Sequence, residues 1–98
     1  GTDVLITHGP PHKICDVAPG GKGFYKHVGC ADLFEATLKI QPKLHVFGHI
    51  HFSGGNSFLR PKTIYANASL CDEGYMINNK PFVIDVDKDK KFSIVAVT

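Results

Sequence analysis

Tryptophan is absent from this 98-residue chain and methionine occurs once, so a core has to be assembled from aliphatic side chains, seven Phe and three Tyr. The three cysteines, Cys15, Cys30 and Cys71, contain no Cys-x-x-Cys pair and are odd in number. That argues against a disulfide framework or a zinc knuckle and predicts small reduced thiols, as in a cytoplasmic protein. No apolar run approaches the roughly 18 residues of a membrane-spanning helix, and no basic, apolar, cleavable leader opens the chain, so no membrane partner is expected. Charge of one sign is scarce as well. Eleven Lys and Arg oppose nine Asp and Glu for a net charge of +2, and their scatter indicates no nucleic-acid-binding surface. The densest run, DKDKK from Asp87 to Lys91, alternates in sign and reads as a solvated hairpin turn.

What is present is a succession of short apolar runs. Val4 to Thr7 has the character of a strand buried on both faces of a parallel sheet, stopped by HGPP. Such a strand needs neighbours, and the chain reads as if it begins in the middle of a domain. Residues 12–28, rich in Gly and Pro, read as a long irregular connection. From Ala31 to Ile40 apolar residues at 31, 34 and 38, widened by 33 and 40, predict a helix that Pro42 ends. LHVFGHIH, Leu44 to His51, reads as a second buried strand, completing a strand–loop–helix–strand unit. FSGGNSFLR reads as a turn-rich loop, and KTIYANAS, PFVIDVD and KFSIVAVT as three further strands, the last two joined as a hairpin.

The histidines carry the chemistry. His49 and His51, two residues apart on an extended segment, would share a face with alpha carbons about 7 Å apart, close enough to address one small site. His8 ends the other parallel strand of the same unit, so three imidazoles are expected at one carboxyl edge of the sheet, where metal centres are commonly built. Gly48 would let the backbone approach the site, and Ile50 would return to the core. His27, His45, the cysteines and Asp16 read as structural, Asp16 as a loop-capping carboxylate. Phe24 and Tyr25 read as loop anchors, with lining of a substrate cleft as the alternative.

DVLITHGPPHKICD, PKLHVFGHIH and IYANASLCDEGY, in this order, resemble the C-terminal half of a calcineurin-like metallophosphoesterase, in the branch of the metallophosphoesterase-domain-containing proteins. The resemblance runs from Thr2 to about Val86. It implies an α/β fold of the α+β sandwich type: the C-terminal half of a four-layer αββα architecture, mostly β with one main helix. It also implies a centre of two divalent transition metals (Mn, Fe, Zn or Ni) that hydrolyses phosphate mono- or diesters. Carried onto this chain, His8 and His49 would ligate one metal and His51 the other. Gly48, Asn67 and His12 would support the site or lie near the substrate.

Where such proteins often carry an aromatic and a glycine this chain has His12 and Lys13, and Phe52 replaces a common acidic residue; both changes bear on substrate preference. The motifs that such proteins contribute from their first half, Asp-x-His, Gly-Asp-x-x-Asp and Gly-Asn-His, do not occur in these 98 residues. The chain is therefore expected to be a partial domain, 1–98, holding one metal or none, and weakly active or inactive alone. The missing half or a second copy would cover its open sheet edge. The alternatives are a non-catalytic binding or scaffold module and a mononuclear zinc hydrolase using His8, His49 and His51.

Overall fold

The run Leu44–Phe47 forms β4, the innermost parallel strand of the main sheet, and its apolar residues fill the core. A computed structural model describes residues 1–95 of the chain. β1 (Val4–Ile6) lies parallel to β4 on one side, with Leu5 opposite His45 and Ile6 opposite Val46. β6 (Ile64–Asn67) lies parallel on the other side, with Phe47 opposite Asn67. β5 (Ser57–Leu59) closes the sheet antiparallel to β6, giving the order β1-β4-β6-β5.

Between β1 and β4 runs α1 (Ala31–Ile40), with the bounds its apolar spacing predicts. The Cys30 side chain caps its start by accepting from the Leu33 N–H, and Gln41, left-handed at φ 50°, ends it just before Pro42. Thr37 is the helix's buried residue. Its hydroxyl donates to Phe34 O at 2.8 Å, so the Tyr65 hydroxyl, 2.9 Å away, must be the donor of the pair. That bond pins α1 to β6 above a small core of Ile14, Phe47 and Tyr65, which Cys15 and Phe34 extend.

Three sequence expectations are corrected. Residues 12–28 are not an irregular connection: β2 (Val17–Gly21) and β3 (Phe24–His27) form an antiparallel hairpin there. Its turn needs the left-handed backbone that Gly21, Lys22 and Gly23 supply at φ 89°, 51° and 79°, so glycine richness here marks a turn. The segment after Ser53 likewise holds β5, which polar flanking residues disguise. β1 is not buried on both faces. It is the outer strand, and Val4 and Ile6 are 43% and 75% exposed because no described element covers them.

The chain ends in a separate hairpin, β7 (Val83–Val86) with β8 (Phe92–Val95). The Asp87 carboxylate accepts from the Asp89 and Lys91 N–H groups and so shapes the alternating-charge turn. The rest of the strand expected at 91–98 lies outside the described residues. The fold is thus mostly strand with one helix, in a mixed sheet and two hairpins.

Two substitutions separate the apolar and polar parts of this core. Phe47→Ala, at a side chain 2% exposed, should cost about 3–5 kcal/mol. Tyr65→Phe leaves Thr37 still bonded to Phe34 and should cost only about 0.5–1.5 kcal/mol. Urea unfolding of both variants checks the ordering.

Candidate metal centre

The carboxyl ends of β1, β4 and β6 lie on one edge, and the loops leaving them meet there. Thr7 continues the ladder through its N–H to Val46 O, and the Gly48 N–H donates to His8 O at 3.0 Å, which fixes the two loop stems against each other. A Cβ on Gly48 would sit 3.4 Å from Ser69 Oγ, so the residue stands where three loops pack closely. His49 then takes a left-handed backbone, φ 70°. That conformation costs a non-glycine residue about 1 kcal/mol or more and is typical of functional sites. The His49 ring lies beside that of His8, centroids 4.5 Å apart and planes tilted by 36°.

The extended Gly48–His51 segment expected from sequence is not formed. β4 stops at Phe47, and a single 3-10 turn begins at His51 (His51–Ser53). The cause is Asn67, fully buried at the end of β6. Its side-chain amide donates to Ile50 O at 3.0 Å and to Cys15 O at 3.1 Å, while its oxygen accepts from the Ser69 N–H at 3.1 Å. By holding the Ile50 carbonyl, Asn67 turns the chain away from the strand direction. His51 consequently does not gather with His8 and His49 in one cluster, and Ile50 borders the clefts around His49.

His51 is oriented by a partner of its own. Its Nδ1 lies 3.1 Å from Asp72 O, and a carbonyl can only accept, so Nδ1 carries a proton and, in the neutral ring, Nε2 is the atom with the free lone pair. This is the arrangement that holds a ligating imidazole. His49 and His51 both line a cleft of about 440 Å³ whose other walls include Phe52, Tyr75 and Glu73. The exposed Tyr25 ring stacks on Phe52 at 5.3 Å, which places Tyr25 at this rim rather than in a plain loop anchor.

Two imidazoles binding one metal in adjacent positions, with metal–nitrogen bonds of about 2.1 Å, bring their ring centroids to about 4.5–5 Å. The His8–His49 pair meets that requirement. Among the described residues, however, no three His, Cys, Asp or Glu side chains come together as a cation site. His51 does not complete a three-histidine set with the other two, so the mononuclear arrangement is not preformed.

His12, expected to support the site or lie near the substrate, lies in a cluster that sequence reading missed. Asp16 is fully buried and accepts from the Lys13 and Gly29 N–H groups at 2.7 and 2.9 Å and from His27 Nδ1 at 2.6 Å. His12 Nδ1 is 3.8 Å from the same carboxylate. Burial alone would raise the Asp16 pKa, but the His27 bond and the two backbone donors outweigh it and hold the carboxyl below its ordinary value. The loop-capping reading of Asp16 was correct but incomplete. The His27 partner comes from β3, a strand the sequence did not disclose. Gly29 is obligatory here, because an added Cβ would collide with the Pro11 backbone.

His45 is the other buried titratable group. Thr7 Oγ1 spends its proton on Gly9 O, so His45 Nε2 donates to Thr7 at 2.8 Å and Nδ1 is left as a buried atom without a partner. Desolvation pulls its pKa from 6.5 to about 4. Cys15, by contrast, is pushed up to about 11 by burial and by Asp16, which makes it a packing residue and a poor nucleophile.

Comparison with known proteins places this geometry. The chain is 44% identical over 87 residues to the human and mouse proteins named Metallophosphoesterase domain-containing protein 1, and 37% identical over 87 residues to a UPF0046 protein of Caenorhabditis elegans. These matches cover 88% of this chain but only 26% and 21% of the relatives, so the chain spans about a quarter of their length. No family model matches. Over most of its length the chain is thus similar to metallophosphoesterase-type proteins. Within that class its relatives are those named Metallophosphoesterase domain-containing protein 1 and the UPF0046 proteins, of which it matches about a quarter. No described helix is long and apolar enough to cross a membrane.

Two measurements probe this scaffold. His45 binds a proton more weakly when folded than when unfolded, so its contribution is complete above pH 6.5 and is lost as pH falls from 6.5 towards 4. Stability should drop by about 2 kcal/mol between pH 7.5 and 5. Asp16, whose pKa is likewise lowered by folding, adds a further loss only as pH falls below its unfolded value of 3.8. Urea midpoints of the parent and His45→Gln at pH 7.5 and 5 separate the two, since the variant should lose the upper step. Asn67→Ala should cost about 2–3 kcal/mol and abolish hydrogen-exchange protection of the Ser69 amide, leaving α1 amides protected relative to global unfolding.

Proposed function

We propose that this chain is the C-terminal share of a two-metal phosphoesterase that hydrolyses phosphate mono- or diesters. In this reading residues 1–98 form a partial domain, and the rest of the centre comes from a segment this chain does not carry. The observation that carries the reading is the His8–His49 pair at the carboxyl edge of the sheet, 4.5 Å apart, in a homologue of metallophosphoesterase-domain proteins. His8 and His49 would hold one divalent transition metal, and His51, turned away from them by Asn67, would serve the other.

When bound, the metals would polarise the phosphate and activate the attacking water. The chain's own residues prepare for this. The Asp72 carbonyl holds the His51 tautomer with Nε2 unprotonated, and the left-handed backbone at His49 holds its ring against His8. The Phe52 and Tyr75 walls shield the cleft and would accept the organic part of an ester. Among the described residues Glu73 is the one carboxylate at that cleft, so the chain alone would bind one metal loosely or none and turn over poorly.

The open edge of β1, with Ile6 75% exposed, favours a covered state. The cover would be the missing half of the domain or, in a scaffold role without catalysis, a second copy. Two metals per chain in the intact protein, and loss of hydrolysis of an activated phosphodiester by at least about 100-fold on His49→Ala, are the expected results. Full activity in that variant would exclude the two-metal reading. A stable, active monomer of the 98 residues would exclude the need for a partner segment.

A further inference from the structure

The basic residues that look scattered in sequence are gathered by the fold. Lys43, Arg60, Lys62, Lys90 and Lys91, five of the eleven cations in the chain, line one concave basin of about 330 Å³. They come from three separate turns: Lys43 immediately before β4, Arg60 and Lys62 in the turn between β5 and β6, and Lys90 and Lys91 in the turn between β7 and β8. Only Lys90 has a described carboxylate partner, Asp3 at 3.3 Å. The Asp87 carboxylate is engaged by backbone N–H groups of its own turn. Five cations less Asp3 leave +4, and Asp87, Lys88 and Asp89 of the same β7–β8 turn bring this face to +3, against +2 for the whole chain.

The basin is distinct from the candidate metal centre. Lys43 and Lys62 precede parallel strands whose far ends lead to His49 and Asn67, and a four-residue strand spans about 13 Å. The cation-bearing turns are fixed by hydrogen bonds: Arg60 N–H to Thr63 O at 2.9 Å, Ile64 N–H to Lys43 O at 3.0 Å and Lys90 N–H to Asp87 O at 3.0 Å. Gathering like charges on fixed backbone positions raises the local positive potential, which a bound anion would offset. The size of the basin suits a small ligand. Its single aromatic lining residue, the half-buried Phe92, offers no stacking platform for a nucleic acid strand.

We propose that this basin is a binding site for a small soluble anion bearing two or more phosphate groups, separate from the phosphoesterase centre. Linked phosphates can engage cations on all three turns together, more of them than a single phosphate reaches. The site stands whether or not the chain belongs to a two-metal enzyme.

The test uses the 98-residue chain freed of metal with EDTA, titrated with inorganic tripolyphosphate and followed by backbone-amide NMR. Saturable shifts are expected at Lys43, Arg60 to Thr63 and Lys90 to Phe92, with weaker binding as salt rises. Lys43→Glu combined with Lys62→Glu, both exposed positions, should weaken binding at least about tenfold. Lys26→Glu, on the far hairpin, and His49→Ala should leave it unchanged. Orthophosphate should bind at least about tenfold more weakly than tripolyphosphate.

The proposal is overturned by shifts centred on the His8, His49 and His51 loops, or by equal binding of orthophosphate and tripolyphosphate, which means adventitious ion pairing only. It is likewise overturned by unchanged affinity in the double variant, or by binding to vesicles containing phosphatidylinositol bisphosphate without any to tripolyphosphate, which would make the face a membrane contact.

Discussion

The Asn67 carboxamide is the interaction on which the candidate site depends. One buried side chain gives two donors and one acceptor to three loops, through Cys15 O, Ile50 O and the Ser69 N–H. Those loops follow β1, β4 and β6, and their stems have no continuous ladder to hold them once the strands end. A side-chain amide substitutes for it, and in a dry interior each bond is worth more than at the surface. Aspartate could not take the role, because its carboxylate has no N–H to donate to the two carbonyls.

Polar contacts of this kind carry much of the framework, because the apolar core is small. Ile14, Phe47 and Tyr65 are its buried hydrophobic cluster, while Asp16, Thr37, His45 and Asn67 are buried beside them. Asp16 ties the loop after β1 to β3 and to the start of α1. His45 ties β4 to Thr7, one residue before His8. The candidate ligands thus rest on hydrogen-bonded geometry, and such networks resist distortion only while every partner is present. The unpartnered Nδ1 of His45 is the weak point, since neither protonation state satisfies it there.

The sequence disclosed what depends on local pattern. The helix at Ala31–Ile40, the parallel relation of the first strand to LHVF and the terminal hairpin follow from periodicity and from turn residues. What it hid depends on long-range partners. The β2–β3 hairpin is built on glycines whose positive φ cannot be told from loop composition. β1 looked buried because Val-Leu-Ile is the composition of a central strand, yet its position at the sheet edge is a property of topology. His51 was assigned to an extended segment because nothing in GHIH signals that Asn67, sixteen residues on, captures the intervening carbonyl. The basic basin was invisible for the same reason, its cations being spread over 48 positions between Lys43 and Lys91.

The chain organises donor geometry without supplying charge. In the proposed reading His8, His49 and His51 would be neutral donors, and two divalent cations placed about 4 Å apart repel unless anions lie between and around them. Glu73 at one wall of the cleft is too little to offset four positive charges, and Asp16 and Asp72 are committed to their own hydrogen bonds. The imidazoles can therefore be held ready in an isolated chain at modest cost, whereas carboxylates crowded at the same edge would repel one another until metal arrived. In the proposed two-metal reading, a neutral half on this chain and an anionic half on another segment would each fold without the other's unbalanced charge, and metal binding would be the event that joins them.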